Sequence, residues 1–154
     1  MNFRIQGLPP EPFVPLFALS DAELARRRAM RVAVTARHAF PCRVSLSDAE
    51  PGQEVILLHY EHHPVDTPFR ASHAIYVREG EQLYDRVGQV PAMLRRRLLS
   101  LRGFDAAGML RDAEVVDGGI LQDGINKLFE DPAVAYLHLH FARQGCYAAR
   151  VVRA

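Results

Sequence analysis

Residues 136–141 read YLHLHF, with His138 and His140 two positions apart. On a strand, alternate side chains share a face. Their Cα atoms then lie about 6.7 Å apart, and both imidazoles can reach one ion. Zinc in a catalytic site takes three protein ligands and keeps a fourth position open. His59 and His73 are the expected further ligands, because each falls in or beside a strand candidate within HYEHHPVDTPFRASHAIYVRE, residues 59–79. His62 and His63 are assigned to the loop between those strands. The metal reading therefore names His59, His73, His138 and His140, with zinc or another transition metal as cofactor. The competing reading is that the histidines are structural, satisfied by hydrogen bonds or by solvent.

A second chemistry is available at Cys42, which precedes Arg43. A thiolate needs a nearby base or cation at neutral pH, and His73 or His62 can supply one. Cys42 and His73 are thus the candidate catalytic residues of a thiol enzyme. Against this, cysteine is among the most buried residue types. Cys146 is expected on an apolar face. For ligand binding, Arg43 and Arg70 can hold a carboxylate or phosphate by bidentate hydrogen bonds. If Phe141 lies opposite Cys146 in a C-terminal hairpin, Tyr147 faces His140 and Ala149 faces His138. Tyr136 and Tyr147 then join the histidines in a polar wall pointing into solvent or a groove. A slip of one residue would send every side chain to the other face.

Residues 61–71 form the connection between the two strands, stiffened by Pro64 and Pro68. Loops of that length with a restrained backbone often carry function. Asp66 and Thr67 within it also suit a simple turn. Several catalytic motifs are absent: no GxSxG elbow, no GxxxxGK[ST] and no GxGxxG occurs. DGGILQDG, 117–124, lacks the alternating acids of a calcium loop.

The elements that must position these residues follow from periodicity. SDAE, 20–23, is a capping box that starts a helix to about Met30. Residues 31–36, 42–46, 55–60 and 72–79 are strand candidates. Val90, Leu94, Leu98 and Leu101 make one apolar helical stripe after Pro91. A short strand is expected over 113–116 and a helix over 119–130, stopped by Asp131-Pro132. VAYLHLHF, ARQG and CYAARVV read as a hairpin. The proline-rich residues 8–16 should be extended, within an N-terminal segment (1–18) packed on the body. The order implies one α+β domain spanning 1–154, a mixed or mainly antiparallel sheet with two or three helices.

Bulk composition excludes other roles. The 154 residues carry 19 basic and 18 acidic side chains, a formal charge of +1. All the basic residues but Lys127 are arginine. The runs Arg26–Arg28 and Arg95–Arg97 fall in expected helices, where three successive side chains fan over about 200°. Neither makes a one-sided basic face, so nucleic acid is not an expected partner. No apolar run is long enough to span a bilayer, and residues 1–12 lack a secretory core. The cytoplasm is the expected compartment, with both thiols reduced.

FPCRVSL (40–46), YEHHPVDTPFRASHAIYVRE (60–79) and YLHLHFARQGCYAARV (136–151) together resemble a bacterial family of about this length, catalogued as a domain of unknown function. The resemblance covers nearly the whole chain. It implies a stand-alone cytoplasmic bacterial protein and carries no activity. From the residues themselves, the first expectation is a small-molecule-binding protein or enzyme with a His/Tyr/Arg pocket. The alternatives are a non-catalytic binding domain and the Cys42 thiol enzyme. Whether a reaction is catalysed, on what, and in what oligomeric state are open at this level.

Overall fold

A computed structural model describes residues 2–154. Its strands form two sheets. The first, six-stranded, runs β7 (Asp85–Val87), β1 (Phe3–Gln6), β11 (Tyr147–Arg153), β10 (Tyr136–Phe141), β8 (Leu98–Phe104) and β9 (Leu110–Asp117). The second, five-stranded, runs β2 (Ala29–Ala33), β5 (Glu54–His63), β6 (Ala71–Val77), β3 (Pro41–Cys42) and β4 (Ser47–Asp48). Pairing is antiparallel except between β3 and β6. The α-helices are short: α1 (Asp21–Arg26), α2 (Ala92–Arg95) and α3 (Leu121–Leu128). The fold is α+β, and β10–β11 is the expected C-terminal hairpin. No helix among the described residues is long and apolar enough to cross a membrane.

Two apolar layers lie on opposite faces of the six-stranded sheet. Leu99, Leu101, Leu137, Leu139 and Phe141 point to α2 and α3, where they meet Leu94, Ile125 and Leu128. On the other face Tyr147 meets Ile56, Leu58, Ile75 and Val77 of the five-stranded sheet. Leu8 and Phe13 of the proline-rich segment close one side of that second layer. The chain reaches it through Gly7, where a Cβ would sit 2.1 Å from the Val44 carbonyl oxygen. Only glycine permits that approach.

Several boundaries differ from the sequence reading. Ser20 and Glu23 do form the capping box, at 3.2 and 2.8 Å, but α1 ends at Arg26 and β2 begins at Ala29. The helix expected from Pro91, ended by Gly103, shrinks to α2, and Leu98 already starts β8. Leu99 and Leu101 also alternate with Ser100 and Arg102, a period of two that buries the leucines against α3. Of the expected strand over 42–46 only Cys42 is in a strand, the end of β3. The N-terminal segment expected to be extended does hold a strand, β1, but Val14–Ala18 at its end winds into a 3-10 helix.

Arg43 ties the two sheets together. It is only 1% exposed and donates to the main-chain oxygens of Tyr147, at 2.8 Å, and of Pro41. Its third contact is Cys146 Sγ at 3.2 Å. This planar fork joins the segment after β3 to the start of β11. Arg43→Met should lower stability by about 1–3 kcal/mol, the cost of leaving buried carbonyls unpaired. Arg43→Lys should not restore it, because a single ammonium cannot reproduce the fork. Urea denaturation reads both, and an unchanged midpoint in Arg43→Met would rule out the clamp.

Candidate metal centre

The site is built where the two sheets face each other. On β10 the residues opposite the Leu137/Leu139 face are Tyr136, His138 and His140. They turn toward the five-stranded sheet, not solvent, leaving His138 4% and His140 1% exposed. Register supplies their neighbours. Arg102 and Ser100 of β8 lie opposite His138 and His140. On β11, Tyr147 lies opposite His140, as the hairpin reading expects, but Arg150 lies opposite His138 where Ala149 was expected. The cause is a bulge, with Ala148 as the extra residue between Ala149 and Tyr147.

The five-stranded sheet contributes three more imidazoles, and here the sequence reading is corrected. β5 does not end at Tyr60; it continues through His63. Ile56, Leu58, Tyr60 and His62 face the six-stranded sheet, so His59 falls on the opposite, exposed face. A second bulge between Glu61 and His63 then changes the parity. His63 pairs with Ala71, and both His62 and His63 are buried. His73 of β6 lies opposite Tyr60 on the same inner face. The loop that follows is pinned to the other sheet through Thr67, whose hydroxyl donates to the Gly108 carbonyl at 3.1 Å.

Each of His62, His138 and His140 offers a ligand atom within 4.8 Å of those of the other two. Tetrahedral zinc, 2.0–2.1 Å from each nitrogen, would hold them about 3.4 Å apart, so at most about 1.4 Å of closure per pair is required. The hydrogen bonds around them leave nitrogens free. His140 Nδ1 donates to the Gly145 carbonyl at 2.9 Å. Its Nε2 is therefore unprotonated in the neutral ring, the arrangement that second-shell carbonyls impose on metal-bound histidines. His62 Nε2 and His73 Nδ1 share a hydrogen bond of 2.8 Å. Three buried imidazole nitrogens have no hydrogen-bond partner, His62 Nδ1, His138 Nδ1 and His140 Nε2; the other such side-chain atom described is Asn126 Oδ1 on α3. His63 differs. Its Nδ1 donates to the Phe69 carbonyl at 2.8 Å and its Nε2 accepts from Tyr136 at 2.7 Å, so both nitrogens are used.

Packing holds the triad in place. His62 stacks on Tyr147, with centroids 4.7 Å apart and planes 14° apart, and on His73 at 5.0 Å and 22°. Desolvation, helped by the neighbouring histidines and Arg150, pushes the His138 pKa down to about 2. Burial first, then the neighbouring histidines and Arg102, brings His62 to about 3, and burial first, with Arg102 and the neighbouring histidines, brings His140 to about 3. His73 is lowered by burial first and then by Arg102. All four are therefore neutral at pH 7, the form that binds metals. No carboxylate is among the buried polar residues described, which are Arg43 and four histidines.

The other sequence candidates are placed elsewhere. Cys42 is 0% exposed, and burial pushes its thiol up to about 12, which keeps it in the neutral thiol form at pH 7. Arg43 is spent on main-chain oxygens. Arg70 is paired bidentately with Glu61 at 3.0 and 2.8 Å. Tyr136 holds His63, and its phenol is raised by burial. Tyr147 is buried against His62, and its phenol too is raised by burial. Sequence reading passed over Arg102 and Arg150, which lie on either side of His138.

Two clefts open on the triad. One, of about 500 Å³, is bounded by His62, His138, Tyr136 and Arg150. The other, of about 340 Å³, is bounded by His62, His140, Ser100 and Arg102.

The profile of a family described as a protein of unknown function, DUF1203, matches residues 39–153. The chain belongs to DUF1203. No curated protein and no solved structure matches it. The part shared with DUF1203 contains all five clustered histidines with Arg102 and Arg150, and leaves β1 outside.

The lowered histidine pKa values predict acid sensitivity. In the unfolded chain each histidine takes a proton near pH 6.5, whereas in the fold His138 waits until about 2 and His140 until about 3. Their contribution is fully present above about pH 6.5 and is lost as pH falls toward those values. Each withdraws about 1.4 kcal/mol per pH unit across that window. Urea midpoints of metal-free protein should fall steadily from pH 7 to pH 4.5, less so in His138→Leu. Equal slopes in both proteins would exclude buried neutral histidines as the cause.

Proposed function

We propose that this DUF1203 protein binds a transition metal, zinc fitting best, through His62, His138 and His140. On this reading the centre binds or transforms a small molecule arriving through the adjoining clefts. One observation carries it: the same three histidines have converging ligand atoms and buried nitrogens with no partner. Leaving a buried acceptor unsatisfied costs about 1–3 kcal/mol. Three together cost roughly 3–9 kcal/mol, comparable to the 5–15 kcal/mol that holds a typical domain folded. A metal bound through those nitrogens would remove that cost. An all-nitrogen donor set suits zinc and its neighbours and not calcium or magnesium, which require oxygen.

Three protein ligands leave a fourth position, the pattern by which zinc sites polarise water or a substrate oxygen. The chain's own residues would do the rest. Gly145 fixes the His140 tautomer, His73 orients His62 and Tyr147 backs the ring of His62. His63 and Tyr136 act as structural support. This keeps part of the structural-histidine reading, since two of the five imidazoles are satisfied without a metal or hold another ring.

Protein purified without a histidine tag or chelator, then dialysed against micromolar zinc, should retain one zinc per chain by elemental analysis. Cobalt substitution should give the visible bands of a tetrahedral site. A His138→Ala/His140→Ala variant should lose affinity by more than about 100-fold, while His59→Ala should retain the metal. Wild-type protein that takes up no zinc would defeat the proposal.

A further inference from the structure

We propose that the cleft beside His140 takes a small carboxylate with an apolar or aromatic body, its carboxylate held by Arg102 and turned toward the histidine triad. This rests on the metal reading of that triad and names the class of ligand it would serve.

Arg102 carries the inference. It is half-buried on the inner face of β8, yet it has no hydrogen-bond, ion-pair or ring partner among the described residues. Other partly buried arginines are engaged: Arg43 with carbonyls, Arg97 with Asp48 at 2.6 and 3.1 Å, and Arg31 with Asp21 at 2.8 Å. A partly desolvated guanidinium with no counter-ion is costly, and a bidentate carboxylate is the partner its geometry fits. Register places it beside the triad, because Arg102 lies opposite His138 and Ser100 lies opposite His140 on the same face.

The cleft around it has the matching chemistry. Its walls include Phe69, Phe104 and Leu110, and no carboxylate lines it. Arg70, at its edge, is neutralised by Glu61, so Arg102 is the unpaired charge of the cleft. A volume of about 340 Å³ is at the small end of ligand pockets and suits a one-ring acid. One guanidinium and one hydroxyl satisfy a carboxylate; a phosphate dianion, with more acceptor oxygens, would be left under-satisfied. The cleft on the other side of His138 is a weaker candidate, because Arg150 is exposed and lies 4.7 Å over the Tyr136 ring.

The test is calorimetric titration of benzoate, and separately of inorganic phosphate, into zinc-loaded protein, with zinc measured in the same samples. Benzoate should bind at one site and phosphate at least about tenfold more weakly. Arg102→Met should weaken benzoate by about 10- to 100-fold, the worth of a charge-assisted hydrogen bond, with zinc content unchanged. Arg102→Lys should fall between. The Met variant should fold, since Arg102 holds nothing in place, and its urea midpoint checks this. No benzoate binding, equal binding in Arg102→Met, or preference for phosphate would each overturn the inference while retained zinc left the metal centre standing. Loss of zinc with benzoate binding still dependent on Arg102 would instead remove the metal centre and support the cleft.

Discussion

Imidazole nitrogens placed between two apolar sheets must find partners or pay for desolvation, and this constraint organises the interior of the protein. The six-stranded sheet has one face of leucines against α2 and α3 and another that carries Tyr136, His138 and His140. The second face is covered by a sheet that brings its own histidines to the same layer. Some of the polar demand is met internally, through Phe69, Tyr136 and Gly145. What is not met is concentrated at one place, on three rings that face each other. Apolar contact between the sheets, with the Arg43 clamp, holds those rings there.

Two bulges give the layer its composition. One, at His62, lets two successive residues of β5 be buried, and so recruits His63 as the support that fixes Tyr136. The other, at Ala148, brings Arg150 beside His138 in place of an alanine. With Arg102 on the opposite flank, His138 sits between two cations. No acid is among the buried polar residues described. Electrostatically the surroundings of His138 favour the neutral imidazole. Protonated histidines there would face both desolvation and repulsion.

Part of this was legible in the residues. The capping box, the C-terminal hairpin and the apolar face of β10 follow from local rules, and the pairing of His138 with His140 follows from alternation. The choice of His59 over His62 did not survive, because the strand was stopped at Tyr60 and His62 was assigned to a loop, whereas β5 runs on to His63 and alternation from Ile56 through Tyr60 carries His62 inward. Only His63 depends on the bulge, which has no signature in this stretch. The stripe at Val90, Leu94, Leu98 and Leu101 satisfied a helical period, yet Leu99 and Leu101 gain more burial as a strand under α3. Arg102 was passed over because an arginine in an expected helix reads as a solvated residue; only as part of β8 does it face inward.

The sequence by itself determined the residue types available for chemistry: paired histidines on a strand, many arginines, no nucleotide-binding loop and no nucleophile elbow. It also determined which face of β10 is apolar, since alternation is a local property of the backbone. The tertiary structure decided that the polar face of β10 meets a second sheet, which histidines join it and which cations go unpaired. Those depend on register, on two bulges and on the packing of one sheet over another. They are set by contacts between residues far apart in the chain, which no local period encodes.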